Sequence, residues 1–327
     1  MGRVAAKAGC IYPVEGEGFR EGDEIRLAFS DDQSLTFLLP VSVEQGRGEV
    51  TLPEGLRSGT YQVSLLRGDR VQHLGEASFA VVAAMPKPME VIAHRGCWKA
   101  TGVPQNSRAS LRASMGEGCY GSETDIWLTT DGKLVVNHDA TRDGLTLQDA
   151  TYSQCSMMEL SNGESLPVLS DFLQILKDSD SKTKLIIEIK KHSTVARNQA
   201  ASQAAVKEVL SYGVADRVEF ISFSLDACKE VHALQPSWRV AYLGGDKAPA
   251  DIAALGLTGI DYQLSVMRKH PAWYREAREK KLSVNVWTVN NSNDMDEATE
   301  AGADFVTTDT PEYAAKLKAY YDYNVSR

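Results

Sequence analysis

The reactive side chains of this sequence gather in a few short runs. One apolar segment ends in His94-Arg95-Gly96. A histidine at a strand exit can act as general acid or base near neutral pH. The neighbouring arginine offers a planar fork for a phosphate or carboxylate, and Gly96 permits a tight turn or close backbone approach. Taken alone, the tripeptide also suits a hydrogen-bonded structural histidine. A second run holds Glu123-Thr124-Asp125. Residues i and i+2 of a strand point to the same side, so the two carboxylates converge within an apolar stretch. Two part-buried like charges are costly unless a cation neutralises them, and oxygen-only ligands select Ca²⁺ or Mg²⁺. The alternative is two solvated carboxylates on an edge strand.

Two further runs extend the set. Lys133-Leu134-Val135-Val136-Asn137-His138-Asp139 is a short apolar segment that ends in a second histidine, with Asp139 available to orient it. Leu185 to Lys190 places Glu188 and Lys190 on one strand face. An acid inside an Ile/Leu strand is expensive without a partner. Glu188 is therefore a natural third ligand for the same cation, and Lys190 a candidate phosphate contact. His73, His192, His232 and His270 lie in polar or helical contexts and read as surface residues. Two histidines, three acids, an arginine and a lysine suit phosphodiester hydrolysis. Cationic groups would neutralise the phosphoryl oxygens, and the histidines would exchange protons with the attacking and leaving groups.

The elements that must position these side chains change character near residue 85. Before it, Asp23–Phe29, Ser34–Leu39, Gly48–Leu52, Thr60–Arg67 and Ala77–Val82 read as strands separated by Gly-rich polar turns. Residues 1–85 therefore form a small β-sandwich. The runs Gly16-Glu17-Gly18-Phe19, Gly22-Asp23 and Leu56 to Tyr61 resemble the immunoglobulin-like modules that precede catalytic domains in secreted bacterial proteins, which implies a spacer or docking role. Ala83 to Pro88 is a linker, since its two prolines forbid a helix. From residue 86 to 327 strand and helix signals alternate. Strands are expected at Glu90–Ala93, Gly121–Leu128, Lys184–Ile189, Arg217–Ile221, Trp238–Leu243, Gly259–Tyr262, Leu282–Thr288 and Asp304–Val306. About eight β/α units match a (β/α)₈ TIM barrel, whose active residues lie at the C-terminal ends of its strands. A doubly wound sheet is the second choice; no Gly-x-Gly-x-x-Gly follows the first strand.

Composition narrows the partners. The formal net charge of −9 argues against nucleic acid or an anionic membrane surface. No apolar run reaches the length of a membrane span. Five cysteines, none in CxxC pairs, read as free buried thiols rather than a disulfide framework or a zinc site. Met1 to Lys7 has no signal-peptide core. A cytoplasmic location is expected unless a native signal was removed; in that case the module type favours the periplasm or secretion. Oligomeric state is not readable.

From Val91 to the C-terminus the chain resembles the glycerophosphodiester phosphodiesterase family. The resemblance is carried by Ala93-His94-Arg95-Gly96, Pro104-Gln105-Asn106-Ser107, Glu123-Thr124-Asp125 with Leu128 to Gly132, Val135 to Asp139, Leu166 to Leu169, Glu188-Ile189-Lys190, Val286 to Asn290, and Gly302 to Asp309 before Pro311. It implies that His94 and His138 form the acid/base pair and that Glu123, Asp125 and Glu188 bind Ca²⁺ or Mg²⁺. It implies that Arg95 and Lys190 hold the phosphate and that Trp287 walls the alcohol or glycerol moiety. The implied substrate is a small glycerophosphodiester, the implied products glycerol phosphate and an alcohol, and the implied route a cyclic phosphate that water opens. The family usually has glutamate where this chain has Gln105, which keeps hydrogen bonding but loses a charge. The stretch Cys97 to Val103 is particular to this chain and is expected to shape the substrate pocket. The competing expectations are a sphingomyelinase D-like or phosphoinositide-cleaving enzyme on the same scaffold, and a non-catalytic binding protein.

Overall fold

The computed structural model describes residues 2–326. The chain divides into two compact units. One comprises Met1–Pro88 with Asn291–Gly302 and Lys316–Arg327, the other Met89–Asn290 with Ala303–Ala315. The change of character near residue 85 thus lies close to the end of the first segment. Two C-terminal segments also group with that unit, which no local pattern announces.

In the first unit, alternating burial follows alternating sequence. Glu24–Phe29 buries Ile25, Leu27 and Phe29 and exposes Glu24 and Arg26, as a strand with one covered face must. It lies between Thr36–Pro40 and Gly59–Arg67, and Arg70–Val81 extends the sheet antiparallel. Arg3–Ala6 adds a parallel edge to Arg70–Val81. Ile11–Val14, Arg47–Thr51 and Ser42–Glu44 form a second, three-stranded sheet. Tyr61, wholly buried, ties its hydroxyl to Arg57, accepting from the backbone N–H at 2.9 Å and donating to the carbonyl at 3.1 Å. Asp23 takes both Arg67 Nε (2.7 Å) and a second guanidinium nitrogen (2.6 Å), a bidentate pair that closes this sheet's rim. The last turns of the C-terminal helix, Pro311–Val325, contribute too: Tyr321 accepts the Ala5 N–H at 3.1 Å and donates to Asp296 at 3.0 Å.

In the second unit, eight parallel strands close on themselves. They are Glu90–Ala93, Gly121–Leu128, Lys184–Ile189, Val218–Ser222, Val240–Tyr242, Gly259–Gln263, Ser283–Trp287 and Phe305–Thr308. The last pairs with the first from Phe305↔Glu90 to Thr308↔Ala93, and the first pairs with the second. A closed barrel has no free edge, so the solvated-edge reading of Glu123 and Asp125 fails on topology. The strands read as continuous apolar runs because helices cover one face and the interior the other. Ile92, Ile186, Ile221, Leu243 and Phe305 fill that interior. Gly121 makes room for them: a Cβ there would sit 2.7 Å from Ile186. Some helices begin with side-chain caps, as at Ser107, whose oxygen accepts from Ser110 N–H before Arg108–Gly116.

The long connection after the second strand is an inserted layer. Leu134–Val136 pairs antiparallel with the end of Gly121–Leu128. Trp127, Val135, Leu147, Cys155, Met158, Leu160 and Leu166 form its own core. Each such burial contributes roughly 1.5–3 kcal/mol, enough to hold the loop that carries His138. Two short helices, Tyr152–Cys155 and Leu264–Lys269, do not show in the sequence pattern; at four and six residues they are too short to show a period. All five cysteines are free and buried.

Candidate active site

The C-terminal ends of strands one, two, three, seven and eight bring the expected side chains together. Thr308, which ends the eighth strand, accepts the His94 N–H through its carbonyl. The chain then turns through Arg95 (φ 56°) and Gly96 (φ 82°). Left-handed backbone costs a non-glycine residue about 1–3 kcal/mol. Here it aims the Arg95 N–H at Glu123 Oε2, 2.8 Å away. Gly96 cannot be replaced in this turn, because a Cβ would lie 2.7 Å from the backbone of Ser110.

Glu123 and Asp125 face the barrel interior from the second strand, and Glu188 faces it from the third, in register with Asp125. The three carboxylates are buried and offer one oxygen each, all within 4.8 Å of one another. Lys190 reaches back to Asp125 at 3.1 Å and Glu188 at 2.9 Å. Asn106 donates to Asp125 Oδ2 at 2.8 Å and accepts from Thr124 and the Asp125 N–H, which locks that carboxylate. Glu123 Oε1 is buried and has no hydrogen-bond donor among the described residues.

The electrostatics point the same way. Burial, then Asp125 and Glu188, push the Glu123 carboxyl well above the usual range. Burial and Asp125 push Glu188 up to about 8. Burial would also raise Asp125, but Lys190, Asn106, His138 and Arg95 outweigh it and hold Asp125 low. Lysine cannot neutralise three acids. An orphaned buried oxygen beside two more hard oxygen donors therefore fits a divalent cation, and this donor set is the candidate metal site.

Each histidine is held by a carboxylate. His94 Nδ1 lies 2.7 Å from Asp309 Oδ1, and Asp309 Oδ2 accepts from Asn290 Nδ2 at 2.8 Å. Arg95 Nε donates to His94 Nε2 at 3.2 Å, consistent with a proton on Nδ1. His138 Nδ1 lies 2.8 Å from Asp139 Oδ1, as the adjacency suggested. Burial lowers the His138 pKa despite the raising effect of Asp125 and Asp139. Arg95 also donates to Gln105 Oε1 at 2.8 Å, so Gln105 buttresses the arginine. Trp287 is anchored by its indole N–H on the Asp261 carbonyl at 2.9 Å. Phe223 meets it edge-on with ring centres 5.6 Å apart, adding an apolar wall.

All eight expected site residues thus stand at one end of the barrel or on the inserted layer beside it. Three partners were missed as such: Asn106, Asp309 and Asn290, though all lie in motifs that the resemblance already singled out. The surface reading of His192 was wrong. His192 is 3% exposed, its Nε2 accepts the Leu128 N–H at 2.9 Å, and its ring lies against Trp127. Its polar neighbours Lys191 and Ser193 disguise a side chain that pins the second strand to the third.

Comparison with known proteins gives a consistent result. The model of the glycerophosphoryl diester phosphodiesterase family matches residues 94–313. The crystal structure of a glycerophosphodiester phosphodiesterase from Parabacteroides distasonis is similar at 41% identity and TM-score 0.70, covering 72% of this chain and 98% of that one. A glycerophosphodiester phosphodiesterase of Caldanaerobacter subterraneus is 28% identical over 248 residues, 69% of this chain and 96% of that protein. An Oleispira antarctica phosphodiesterase, solved in complex with the product sn-glycerol-3-phosphate, shares the fold at 20% identity and TM-score 0.59, covering 72% of this chain and 97% of that one.

Proposed function

Because this chain belongs to the glycerophosphoryl diester phosphodiesterase family, we propose that it hydrolyses glycerophosphodiesters to glycerol phosphate and an alcohol, with a divalent cation, Ca²⁺ or Mg²⁺, held by Glu123, Asp125 and Glu188. The observation that carries this reading is the convergence of three buried carboxylates, Lys190 and two carboxylate-held histidines at one mouth of a closed barrel. A bound cation would neutralise charge on the phosphoryl oxygens. The protein's own groups do the rest. Arg95 forks the phosphate, and Lys190 adds a point charge that helps replace its hydration. Asp309 and Asp139 each fix the proton of their histidine on Nδ1, which makes Nε2 the basic nitrogen of both rings, that of His94 accepting from Arg95 Nε in this structure. One histidine accepts the proton of the attacking hydroxyl; the other donates to the departing alkoxide. Trp287 and Phe223 keep the alcohol or glycerol carbon atoms off water. The product named in the Oleispira antarctica complex supports glycerol phosphate as the retained half.

The first unit is read as a spacer or docking module, and a periplasmic or secreted setting goes with that reading. No observation favours a binding-only role, since no member of the constellation is missing. The test is substitution. His94→Ala and His138→Ala are each expected to cost about 10²–10⁴ in kcat on glycerophosphodiesters with folding intact. Turnover at the wild-type rate in both would overturn the assignment.

A further inference from the structure

Beside the catalytic groups lies a cavity of about 430 Å³ lined in part by Trp98, Lys99, Gln105, Arg142 and Leu160. That volume suits a small ligand or one half of a larger one. It adjoins the reactive groups on two sides. Gln105 is the wall residue that accepts from Arg95 at 2.8 Å. Arg142 donates to Asn137 Oδ1 at 3.2 Å, and Asn137 directly precedes His138. A diester whose phosphate meets Arg95 and the histidines can therefore extend one arm into this space.

The charge of the lining is unusual for the chain. The protein carries a formal net charge of −9, yet the cavity wall holds Lys99 and Arg142 and no acid. Neither cation has a carboxylate partner among the described residues. Arg142 is tethered through neutral acceptors only, Asn137 Oδ1 and the Glu159 carbonyl at 3.0 Å. Its guanidinium is thus held in place with its charge uncancelled. The Trp98 indole also lines this wall. An aromatic face alone would suit choline through cation–π attraction, but two unpaired cations beside it repel a quaternary ammonium.

We propose that this cavity is the subsite for the alcohol arm of the substrate, and that it selects alcohols bearing a further anionic group, a phosphate or a carboxylate, over choline or ethanolamine. The proposal rests on the hydrolysis reading above and specifies its substrate class. Lys99 and Arg142 are the selecting residues, while Trp98 and Leu160 pack on the carbon skeleton.

The test compares matched diesters. Glycerophosphoinositol and its 4-phosphate differ only in one anion; the glycerophosphodiester of 3-hydroxypropanoate supplies a carboxylate of about ethanolamine's length; glycerophosphocholine and glycerophosphoethanolamine are the cationic controls. kcat/KM is measured for the wild type, Lys99→Gln, Lys99→Glu and Arg142→Gln. Equilibrium binding of the same diesters is measured under chelator, where no turnover is needed. The expected wild-type preference is roughly tenfold for each anionic diester over its uncharged or cationic counterpart. Lys99→Gln and Arg142→Gln should each reduce that ratio about threefold to tenfold, and added salt should shrink it. Lys99 is exposed, so its variants test the charge even if Arg142→Gln disturbs the inserted layer. A preference for the inositol phosphate alone assigns phosphate, and for the hydroxypropanoate alone carboxylate. Turnover with no charge preference, or a preference that none of the variants moves, overturns the subsite and leaves hydrolysis standing. Charge-ordered binding without turnover of any diester, metal supplied, overturns hydrolysis and leaves the subsite. Neither turnover nor ordered binding overturns both.

Discussion

Asp309→Asn separates orientation from mere packing at His94. In the native site Asp309 accepts from both sides: His94 Nδ1 at 2.7 Å and Asn290 Nδ2 at 2.8 Å. Burial would raise the Asp309 carboxyl, but the hydrogen bond and charge of His94, then the Asn290 amide, hold it below the usual range. An asparagine has one acceptor and one donor where the aspartate has two acceptors. Its oxygen must face the Asn290 amide, so its NH₂ faces His94 Nδ1. That moves the histidine proton to Nε2, where it meets the Arg95 Nε–H and is useless as a base. The charge lost matters as well. A carboxylate about 4 Å from an imidazolium is worth about 4 kcal/mol at an effective dielectric near 20. The two side chains are 19% and 18% exposed, so solvent screens part of this. A loss of about 2–4 kcal/mol of transition-state stabilisation follows, roughly 30- to 1,000-fold in kcat. The assay is kcat on a glycerophosphodiester with saturating cation, alongside thermal unfolding to establish that the fold is kept. A variant within threefold of wild type, equally stable, would refute the orienting role.

Two further predictions follow from named contacts. Glu123→Gln removes one of three crowded carboxylates yet keeps an acceptor for the Arg95 N–H, so the metal-free variant should unfold at the same or a higher temperature than wild type at pH 8. Wild type should gain roughly 2.7 kcal/mol from Ca²⁺ or Mg²⁺ at 100 times its Kd, seen as a rise in midpoint, and the variant should lose most of that gain; an equal rise in both would remove Glu123 from the metal site. In the first unit, Arg67 and then the Arg20 N–H hold Asp23 down to about 2 against the opposing effect of burial. A depressed carboxylate stabilises above its unfolded pKa, and that stability is lost as pH falls through the folded value. Asp23→Asn should therefore be less stable than wild type at neutral pH, with the gap closing between about pH 4 and 2 in acid unfolding; a gap that stays constant would contradict the pairing.

The barrel was readable because the strands that bear the site are apolar runs with a side chain of chemical consequence at or near the end. Glu90–Ala93, Gly121–Leu128 and Lys184–Ile189 carry the site and begin and end where the pattern places them. Short or distant partnerships were not readable. Arg3–Ala6 pairs with a strand some seventy residues away, and its four residues have no period of their own. The Asp309–His94 contact spans 215 positions, so only closure of the barrel reveals it. His192 failed for the opposite reason. Its neighbours in sequence are polar, and a single buried loop residue leaves no trace in an averaged pattern. The cavity beside Gln105 was foreshadowed only as a stretch, Cys97 to Val103, that no common motif explains; its charge became visible once the inserted layer supplied Arg142.

The central claim, cation-dependent cleavage of a glycerophosphodiester at the barrel mouth, meets its most direct test in one measurement: release of glycerol phosphate from a panel of glycerophosphodiesters by the full chain with Ca²⁺, with Mg²⁺ and with chelator. Release that requires one of the cations and stops on chelation is the predicted result, and it identifies the usable ion at the same time. Undiminished release after exhaustive chelation would contradict the three-carboxylate site, and no release from any diester by folded protein with both cations supplied would contradict the reaction itself.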